Sequence, residues 1–401
     1  MILPLKGVRV VEIGRWIALP AAGALLGEWG AEVIKIEDIW GGDPTRAAFS
    51  SILPGRQMLY MWDLDNRNKK SVAINLKQKE GKQIAYKLVE RSDVFLCNLV
   101  TRALQNLRMD YQTLSKVNPR IVYVHLSGYG TSGPDAGKPS FDYGAFWARS
   151  GIMATLGEPG TPPPPQRPGL GDHATSMFIA AGALLGLLSR QETGKGLEIN
   201  LSLLSAGMWS ASRDIQASLT SGEDIPRLSR KMTPNPLFNS YEIKDKKWIH
   251  LLMPQTDRFW SALCRAMGII ELEHDPRFDS HANRVENNVS LISILDDIMA
   301  TKTLKEWATI FDSEGIWWTP VQTVAETIAD PQVKANDYIV SLDHPAKGQI
   351  KLVGSPIQFA RMQPRPRSPG PELGQHTEEI LLELGYDWAK ITRLKKKGTI
   401  I

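Results

Sequence analysis

The feature that most constrains the fold is an alternation of short apolar strands with helices along the first 130 residues. Val- and Ile-rich runs at 7–13, 31–37, 71–76, 93–99 and 120–127 predict strands, and helical patterns at 21–29 and 79–91 lie between them. Strands that alternate with helices are typical of parallel sheets covered on both faces. We therefore predict an α/β protein whose large domain is Rossmann-like with a mainly parallel sheet.

Beyond residue 150 the pattern changes and predicts a second domain. A Pro-rich loop at 157–171 precedes an apolar helix at 174–190, a strand at 197–204 and a helix at 205–219. A polar, Pro-containing stretch at 222–236 then leads into a hairpin and three helices, at 257–267, 288–300 and 304–314. We expect a large domain over 1–225, a smaller α+β domain over 226–330, and a segment over 331–401 that completes the large domain.

Charge, cysteine content and hydropathy exclude several classes of protein. The net charge over 401 residues is only +4, and the one dense basic run, at 393–397, is predicted to be a solvated tail. Cys97 and Cys264 are the only cysteines, which indicates a reducing compartment. The longest apolar run, 178–188, is about half of the roughly 20 residues that a spanning helix needs. We expect a cytoplasmic protein with no nucleic-acid or membrane partner.

Ligands of an open parallel sheet bind outside the carboxyl ends of its strands, and the motifs there exclude common cofactors. The turn Gly14-Arg-Trp-Ile-Ala-Leu-Pro20 after the first strand lacks a dinucleotide fingerprint. The chain has no phosphate-binding Walker loop, and its seven histidines have no metal-ligand spacing. We expect neither a metal nor a redox cofactor.

Asp172 is the candidate for chemistry. It follows Pro168-Gly-Leu-Gly171 and precedes a predicted helix. One interpretation is an ordinary N-cap, which is the commoner use of an Asp at such a position. The other is a nucleophile that attacks an activated acyl carbon to form an anhydride, with the backbone amide of Gly171 stabilising the oxyanion. The two interpretations are compatible.

Two further clusters carry open alternatives. Arg67 and Lys70, with Lys77 after the next strand, either bind phosphate groups or form a solvated loop. The aromatic stretch Phe141-Asp-Tyr-Gly-Ala-Phe-Trp147, which includes Tyr143 and Phe146 and is followed by Arg149, either lines an apolar substrate cavity with a charged clamp or packs in the core.

Several motifs in this order resemble those of the class III CoA-transferases, the group that contains formyl-CoA and carnitine CoA-transferases. The matching segments are Lys6-Gly-Val-Arg-Val-Val-Glu-Ile13, Gly30-Ala-Glu-Val-Ile-Lys-Ile-Glu37, Gly42-Asp-Pro-Thr-Arg46, Asn68-Lys-Lys-Ser71, Gly171-Asp172, Gly194-Lys-Gly196 and Gly374-Gln-His-Thr-Glu378. The resemblance covers nearly the whole chain.

The resemblance implies an interlocked homodimer whose substrates are an acyl-CoA and a carboxylic acid. It implies that Asp172 carries the acyl group as an anhydride and then CoA as a thioester, and that Asp142 is the acidic residue beside it. Coenzyme A would contact Ile74, Lys77 and Asn98, with Arg102 close by. Asp38 and Asn106 depart from the family, because formyl-CoA transferase has arginines at both positions.

Three segments resemble more narrowly the phenyllactate and 2-hydroxyisocaproate branch of this family, which serves amino-acid fermentation. They are Phe141-Asp-Tyr-Gly-Ala-Phe-Trp-Ala-Arg149, Pro168-Gly-Leu-Gly-Asp-His173 and Thr233-Pro-Asn-Pro236. This branch implies 2-hydroxy acids with aryl or branched side chains as substrates. We expect Arg149 or Asp142 to orient the acid or the catalytic carboxylate.

Two alternatives stay open. The α-methylacyl-CoA racemases share this fold and abstract a proton with a histidine that precedes an aspartate, but the corresponding residue here is Phe141, which leaves His173 as the nearby base. A CoA-binding protein without catalysis is the second alternative, and it predicts ligand binding without CoA exchange.

Overall fold

The computed structural model describes residues 3–47 and 60–401, which form two compact units. The first unit contains the chain up to residue 153 together with 165–221 and 332–401. The second contains 154–164 and 222–331. The short segment at 154–164 therefore belongs to the second unit, although the chain on both sides of it lies in the first.

The first unit is built on a six-stranded parallel sheet, which confirms the predicted α/β class. The strands lie in the order β3-β2-β1-β4-β5-β6. They are β1 (Arg9–Ile13), β2 (Glu32–Glu37), β3 (Lys69–Ala73), β4 (Val94–Cys97), β5 (Val122–Ser127) and β6 (Glu198–Ser202). The strand order reverses between β1 and β4, and ligands of doubly wound sheets bind outside the carboxyl ends of the strands at such a point.

Helices pack on the sheet because successive strand residues point to opposite faces. Val11 and Ile13 share a buried cluster with Ile84 and Leu88 of a helix, while Val10 points the other way. The helices of this part of the chain are α1 (Ala18–Glu28), α2 (Tyr60–Asn66), α3 (Lys79–Glu90), α4 (Thr101–Leu107), α5 (Tyr111–Val117), α6 (Ile152–Thr155), α7 (Leu170–Thr193), α8 (Leu203–Ser210) and α9 (Ser212–Ser221). The single helix predicted at 205–219 is thus two helices with a break at Ala211.

Helix α7 has the length and apolar composition of a membrane span, and it is the one such helix among residues 3–47 and 60–401. Half of its most apolar stretch is buried inside the protein, and the helix packs on α1 and β5. Gly182 and Gly186 lie where a Cβ would approach strand side chains to 3.2 and 2.3 Å. These contacts are those of a core helix.

The second unit has its own sheet and core. Strands β7 (Ser240–Glu242) and β8 (Trp248–Leu251) form the predicted antiparallel hairpin, and β9 (Trp318–Pro320) adds to its other edge. The fully buried Trp307 and Phe311 stack at 4.9 Å in the core. The helices are α10 (Thr256–Met267), α11 (His281–Glu286), α12 (Asn288–Met299), α13 (Leu304–Glu314) and α14 (Val324–Ala329).

The C-terminal segment packs against the β3 edge of the parallel sheet. It contains α15 (Pro331–Ala335), the antiparallel pair β10 (Ile339–His344) and β11 (Gly348–Val353), then α16 (Thr377–Glu383) and α17 (Trp388–Lys396). Ile400 forms a bridge with Ile74. The predicted basic run is exposed, as expected of a solvated segment, but most of it belongs to α17 rather than to an extended tail, and Lys395 pairs with Glu378 at 2.7 Å.

Candidate active site

Two adjacent cavities open at the carboxyl ends of the parallel strands. The first cavity, of about 110 Å³, is lined by residues that end or follow β1, β2, β3 and β4, among them Gly14, Asp38, Ile74 and Lys77. The second, which we call the Asp172 cavity, has a volume of about 320 Å³. That volume lies at the lower end of the range of small-molecule sites, about 300–1,000 Å³.

The two cavities share one wall, because Arg15 and Leu99 line both of them. The backbone of Arg15 is fixed by the side chain of Asn98 in a reciprocal pair of hydrogen bonds. The Arg15 N–H donates to Asn98 Oδ1 at 3.0 Å, and Asn98 Nδ2 donates to the Arg15 carbonyl at 2.8 Å. The loops after β1 and β4 are therefore joined where the cavities meet. A ligand long enough to occupy both would pass this wall.

Asp172 is not the N-cap of α7, contrary to the first interpretation of the sequence. The cap residue is Gly169, and Asp172 is the third residue of the helix. Its carboxyl group is buried and lines the Asp172 cavity. Within residues 3–47 and 60–401, no side-chain or backbone donor forms a hydrogen bond to it. A buried carboxyl group in a cavity without a donor is unusual, because such groups are normally paired.

Asp142 caps α7 in its place. Its Oδ2 atom accepts the backbone N–H groups of Gly169 at 3.1 Å and Gly171 at 3.2 Å. Burial raises the pKa of Asp142, and backbone N–H groups, led by that of Gly169, act against this rise. Asp142 thus satisfies the free amides of the first turn and leaves the Asp172 carboxylate unengaged.

Gly171 does not have the role that the sequence indicated. Its N–H donates to Asp142, so it does not point at an oxyanion. A Cβ at this position would lie 2.7 Å from the ring of Phe146. Gly171 is therefore required because the first turn of α7 packs directly on that ring.

The environment of Asp172 destabilises its anion. Burial raises its pKa to about 7, the nearby Asp142 adds to the rise, and His173 acts against it. The rise of the pKa from its ordinary value of 3.8 corresponds to a destabilisation of the ionised carboxylate by roughly 4 kcal/mol. A carboxyl group whose pKa is near neutral is typical of catalytic sites.

His173 is turned away from the Asp172 cavity. Its Nε2 atom lies 2.9 Å from Asp65 Oδ1, and the two side chains line a separate cavity of about 270 Å³ beside Leu25 and Met177. Burial lowers the pKa of His173, but its contact with Asp65 more than offsets this and leaves the pKa raised. Because His173 lines a separate cavity, the structure offers no support for a racemase in which it is the base.

The aromatic residues chosen from the sequence lie beside the site. Phe146 and Trp147 are 3% and 8% exposed and belong to a π-helical turn at Tyr143–Ala148. Tyr143 donates its hydroxyl to the carbonyl of Gln166 at 2.6 Å. Arg149 is exposed and pairs with Asp135 at 2.7 Å. These contacts favour the core-packing alternative for Phe146 and Trp147 and give Arg149 no place at the cavity.

Some of the predicted CoA contacts lie at the two cavities, and the others are held by carboxylates elsewhere. Ile74 and Lys77 line the first cavity, and Asn98 lines the Asp172 cavity. Arg102 is exposed on α4, between two residues that line the Asp172 cavity. Arg67 is buried and bound to Glu28 at 2.7 Å, and Lys70 pairs with Glu32 and Glu379 near the amino end of β3. Arg67 and Lys70 are thus held by carboxylates away from the first cavity.

A buried charge cluster supports the turn between the cavities. Lys35 Nζ contacts Glu12 at 2.8 Å and Asp43 at 2.9 Å, and it donates to the Gly14 carbonyl at 2.7 Å. Burial lowers the pKa of Lys35, but Asp43 and Glu12 more than offset this and leave it raised. Asp43 Oδ1 in turn accepts the backbone N–H of Trp16 at 3.2 Å.

Sequence reasoning missed Trp16 and Arg15, which both line the Asp172 cavity. Their one signal was their position directly after β1, where ligand-binding loops of such sheets lie. In the described part of the chain, no group of three or more His, Cys, Asp or Glu side chains is arranged to hold a metal ion.

Comparisons with known proteins identify the class of protein to which this fold and site belong. The profile of CoA-transferase family III matches residues 5–377. The chain is 36% identical to a cinnamoyl-CoA:phenyllactate CoA-transferase of Clostridium sporogenes, over 99% of this chain and 97% of that protein. It is 34% identical to an (R)-2-hydroxy-4-methylpentanoate CoA-transferase of Clostridioides difficile, over 99% of both chains. A succinyl-CoA:glutarate CoA-transferase of Mus musculus is 31% identical, over 99% of this chain and 90% of that one.

The solved structures agree. A CaiB/BaiF family protein from Brucella suis superposes with a TM-score of 0.83 and 27% identity, covering 96% of this chain and all of that one. The chain therefore belongs to CoA-transferase family III, as the resemblance predicted, and it is an enzyme of that class with CoA as a substrate.

Proposed function

We propose that this enzyme transfers CoA from an acyl-CoA donor to a carboxylic acid, an aryl or branched 2-hydroxy acid, through covalent intermediates on Asp172. The observation that carries the proposal is the carboxyl group of Asp172. It is buried and receives no hydrogen bond from the described residues, and it lines a cavity that adjoins a second one. A structural carboxylate would be paired with a donor or a cation.

In the first half of the reaction, the Asp172 carboxylate attacks the thioester carbonyl of the donor. The carbon–sulfur bond breaks, which gives an acyl-aspartyl anhydride and CoA thiolate. The thiolate then attacks the aspartyl carbonyl of the anhydride. The donor acid leaves as its carboxylate, and CoA is held on Asp172 as a thioester.

In the second half, the carboxylate of the acceptor acid attacks the aspartyl thioester and displaces CoA thiolate. A second anhydride forms between Asp172 and the acceptor. The thiolate attacks the acceptor's acyl carbon, which yields the new acyl-CoA and restores the Asp172 carboxylate. No proton or electron is taken up overall.

The repulsion between Asp142 and Asp172 favours this chemistry. Both the anhydride and the thioester are uncharged at Asp172, so the penalty that burial and Asp142 impose on the anion is relieved when either intermediate forms. The free enzyme bears this penalty, and the covalent intermediates do not. Asp142 also accepts the N–H of Gly171, which holds the turn that presents Asp172.

We propose that the first cavity holds one portion of CoA and that the thiol end of CoA reaches Asp172 past Arg15 and Leu99. Lys77 lies there with an exposed ammonium group, and no carboxylate among the described residues pairs with it. It is suited to bind a phosphate. Ile74 and Leu107 add apolar surface to the same cavity. Asn98 positions the shared wall through Arg15 and is thus a positioning residue.

The identity of the acid substrate is proposed from the relatives, and the oligomeric state is proposed from exposed apolar surface. Two of the relatives are named for phenyllactate and for 2-hydroxy-4-methylpentanoate, which are aryl and branched 2-hydroxy acids.

We further propose an interlocked homodimer. It is supported by large exposed apolar side chains on α7, α8 and α9, namely Leu185, Leu188, Met208, Trp209 and Leu219. Both cysteines are unpaired and buried, in keeping with a cytoplasmic protein.

Trapping of the intermediate tests the mechanism. The purified enzyme is incubated with a panel of aryl, branched and dicarboxylic acyl-CoAs, treated with hydroxylamine and digested for mass spectrometry. We expect inactivation only after exposure to an acyl-CoA that serves as donor, and a hydroxamate at Asp172.

Two variants complete this experiment. Asp172→Ala should abolish CoA exchange and the hydroxamate while its circular dichroism stays that of the wild type. Asp224→Asn, which changes an exposed aspartate that lines neither cavity, should keep both CoA exchange and the hydroxamate. Full CoA exchange by Asp172→Ala would refute the mechanism, and CoA binding without exchange by the wild type would indicate the non-catalytic alternative.

A further inference from the structure

Two aromatic side chains face each other at the Asp172 cavity. Trp16, from the turn after β1, and Phe141, from the loop that follows β5, meet edge to face with their ring centroids 5.2 Å apart and their planes at 86°. Both line the cavity together with Asp172. Trp16 is 38% exposed and Phe141 is 56% exposed, so each offers apolar surface to a ligand.

The backbone of Trp16 adopts a conformation that a large side chain rarely takes. Its φ angle is 67°, in the left-handed region. Such a conformation is strained for a residue other than glycine and persists where the surroundings impose it. Here Asp43 accepts the Trp16 N–H, and the buried Lys35 holds Asp43. The chain thus keeps an indole where a glycine would be less strained.

The remainder of the cavity wall leaves the acyl side chain few other aromatic partners. Phe146 and Trp147 are buried in the turn beneath Gly171, and Tyr143 is bonded to the Gln166 carbonyl. Smaller apolar side chains line the cavity, including Leu126 and Leu203. Trp16 and Phe141 are therefore the aromatic side chains that line that cavity among the described residues.

We propose that Trp16 and Phe141 together receive the apolar side chain of the acid substrate and set the preference of the enzyme for aryl over short acids. This inference rests on the proposed function, because it concerns the acid whose carboxyl group reacts with Asp172. An aryl ring beside the two side chains can extend their edge-to-face packing, which is favourable beyond the burial of apolar surface. A short 2-hydroxy acid has no group that reaches them.

The test compares two acceptors that differ in their side chain alone, 3-phenyl-2-hydroxypropanoate and 2-hydroxypropanoate. The donor is the acyl-CoA that yields the Asp172 hydroxamate. Trp16→Gly removes the indole at a φ angle that glycine adopts freely, and Phe141→Leu removes the other ring. Trp388→Leu, which replaces an exposed tryptophan of α17, is the matched control.

We expect Trp16→Gly and Phe141→Leu each to lower kcat/KM for the phenyl acid at least tenfold and to change the value for the short acid less than threefold. The control should change neither. An equal fall for both acids, no change in their ratio, or a wild-type preference for a dicarboxylic acid would overturn the inference. The hydroxamate separates the two failures: if the wild type forms none, the proposed function fails, whereas an unchanged preference with the hydroxamate present refutes the role of the aromatic pair alone.

Discussion

The carboxylate of Asp142 accepts the backbone N–H of Gly171 at 3.2 Å and so caps, from 29 residues away, the helix whose first turn carries Asp172. A cap normally comes from the residue that begins the helix. Here a neighbouring loop supplies it. The same carboxylate also repels the Asp172 anion, so one side chain both holds the candidate nucleophile in place and raises its energy.

The pH dependence of the reaction should report this repulsion. In the proposed mechanism the nucleophile is the ionised form of Asp172, whose pKa is raised to about 7 by burial and by Asp142. We expect kcat/KM of the wild type to rise about tenfold for each pH unit below 7 and to level off above it. In Asp142→Asn the midpoint should move to lower pH, because the repelling charge is gone. A midpoint that stays in place would show that Asp142 is not charged in the free enzyme.

The opposite shift is expected for His173→Asn. His173 in its protonated form lowers the pKa of Asp172, and its removal also leaves the buried Asp65 without its partner. The midpoint of kcat/KM should therefore move to higher pH. KM for the acid should stay within about twofold, because His173 lines a different cavity. A loss of activity at every pH, with the midpoint unchanged, would instead point to His173 as a base.

Asp172→Asn should stabilise the protein at neutral pH. The pKa of Asp172 is raised in the folded state, so the native carboxylate is penalised wherever the group is ionised in the unfolded chain. Below about pH 4 both states are protonated and the penalty vanishes; above pH 7 it is complete. We expect the gain of the variant in free energy of unfolding to grow by roughly 2–3 kcal/mol between pH 5 and pH 8. Urea denaturation at the two pH values measures it, and a gain independent of pH would contradict the assignment.

Gly171→Ala tests the contact between α7 and Phe146. A Cβ at this position would lie 2.7 Å from the ring, so we expect a loss of about 1–3 kcal/mol of stability and a fall in kcat. Phe146→Leu alone removes ring volume and should cost about 1 kcal/mol. The double variant should be more stable than the sum of the two losses predicts, because the smaller side chain gives space to the new methyl group. Strict additivity would mean that the helix relieves the clash by moving elsewhere.

Two lysines, Lys70 near the amino end of β3 and Lys77 after its carboxyl end, distinguish the CoA contacts. Lys77 lines the first cavity, whereas Lys70 is held by Glu32 and Glu379. Lys77→Ala should raise KM for acyl-CoA about five- to tenfold at low salt and leave KM for the acid unchanged. Lys70→Ala should leave both unchanged, and steady-state kinetics with each substrate varied in turn decide between them. An effect of Lys70 alone would restore the phosphate role first considered for Arg67 and Lys70.

The strands and most helices could be predicted from the sequence because their patterns are local. The parallel sheet, the hairpin at 240–251 and α13 follow from hydrophobic spacing and turn residues within each segment. The resemblance, carried by short motifs such as Gly171-Asp172, likewise predicted the family.

The roles of single side chains could not be predicted in this way because they depend on partners far along the chain. Asp172 has the sequence context of a cap, and only the approach of Asp142 releases it from that role. Arg67 has the context of a phosphate ligand, but Glu28 of α1 binds it. The position of Trp16 after β1 was its one signal, and its left-handed backbone could not be predicted because contacts with the distant Asp43, itself held by Lys35, support it.

The shared wall of Arg15 and Leu99 has a consequence for how such enzymes diversify. In the proposed binding mode, CoA and the acid contact two sets of loops, and these two residues line both cavities. Substitutions around the acid can accumulate without disturbing the binding of CoA. An enzyme of this kind can evolve to use a new acid through the substitution of a few side chains near one strand end. Related enzymes with different acid substrates can arise from one ancestor in this way.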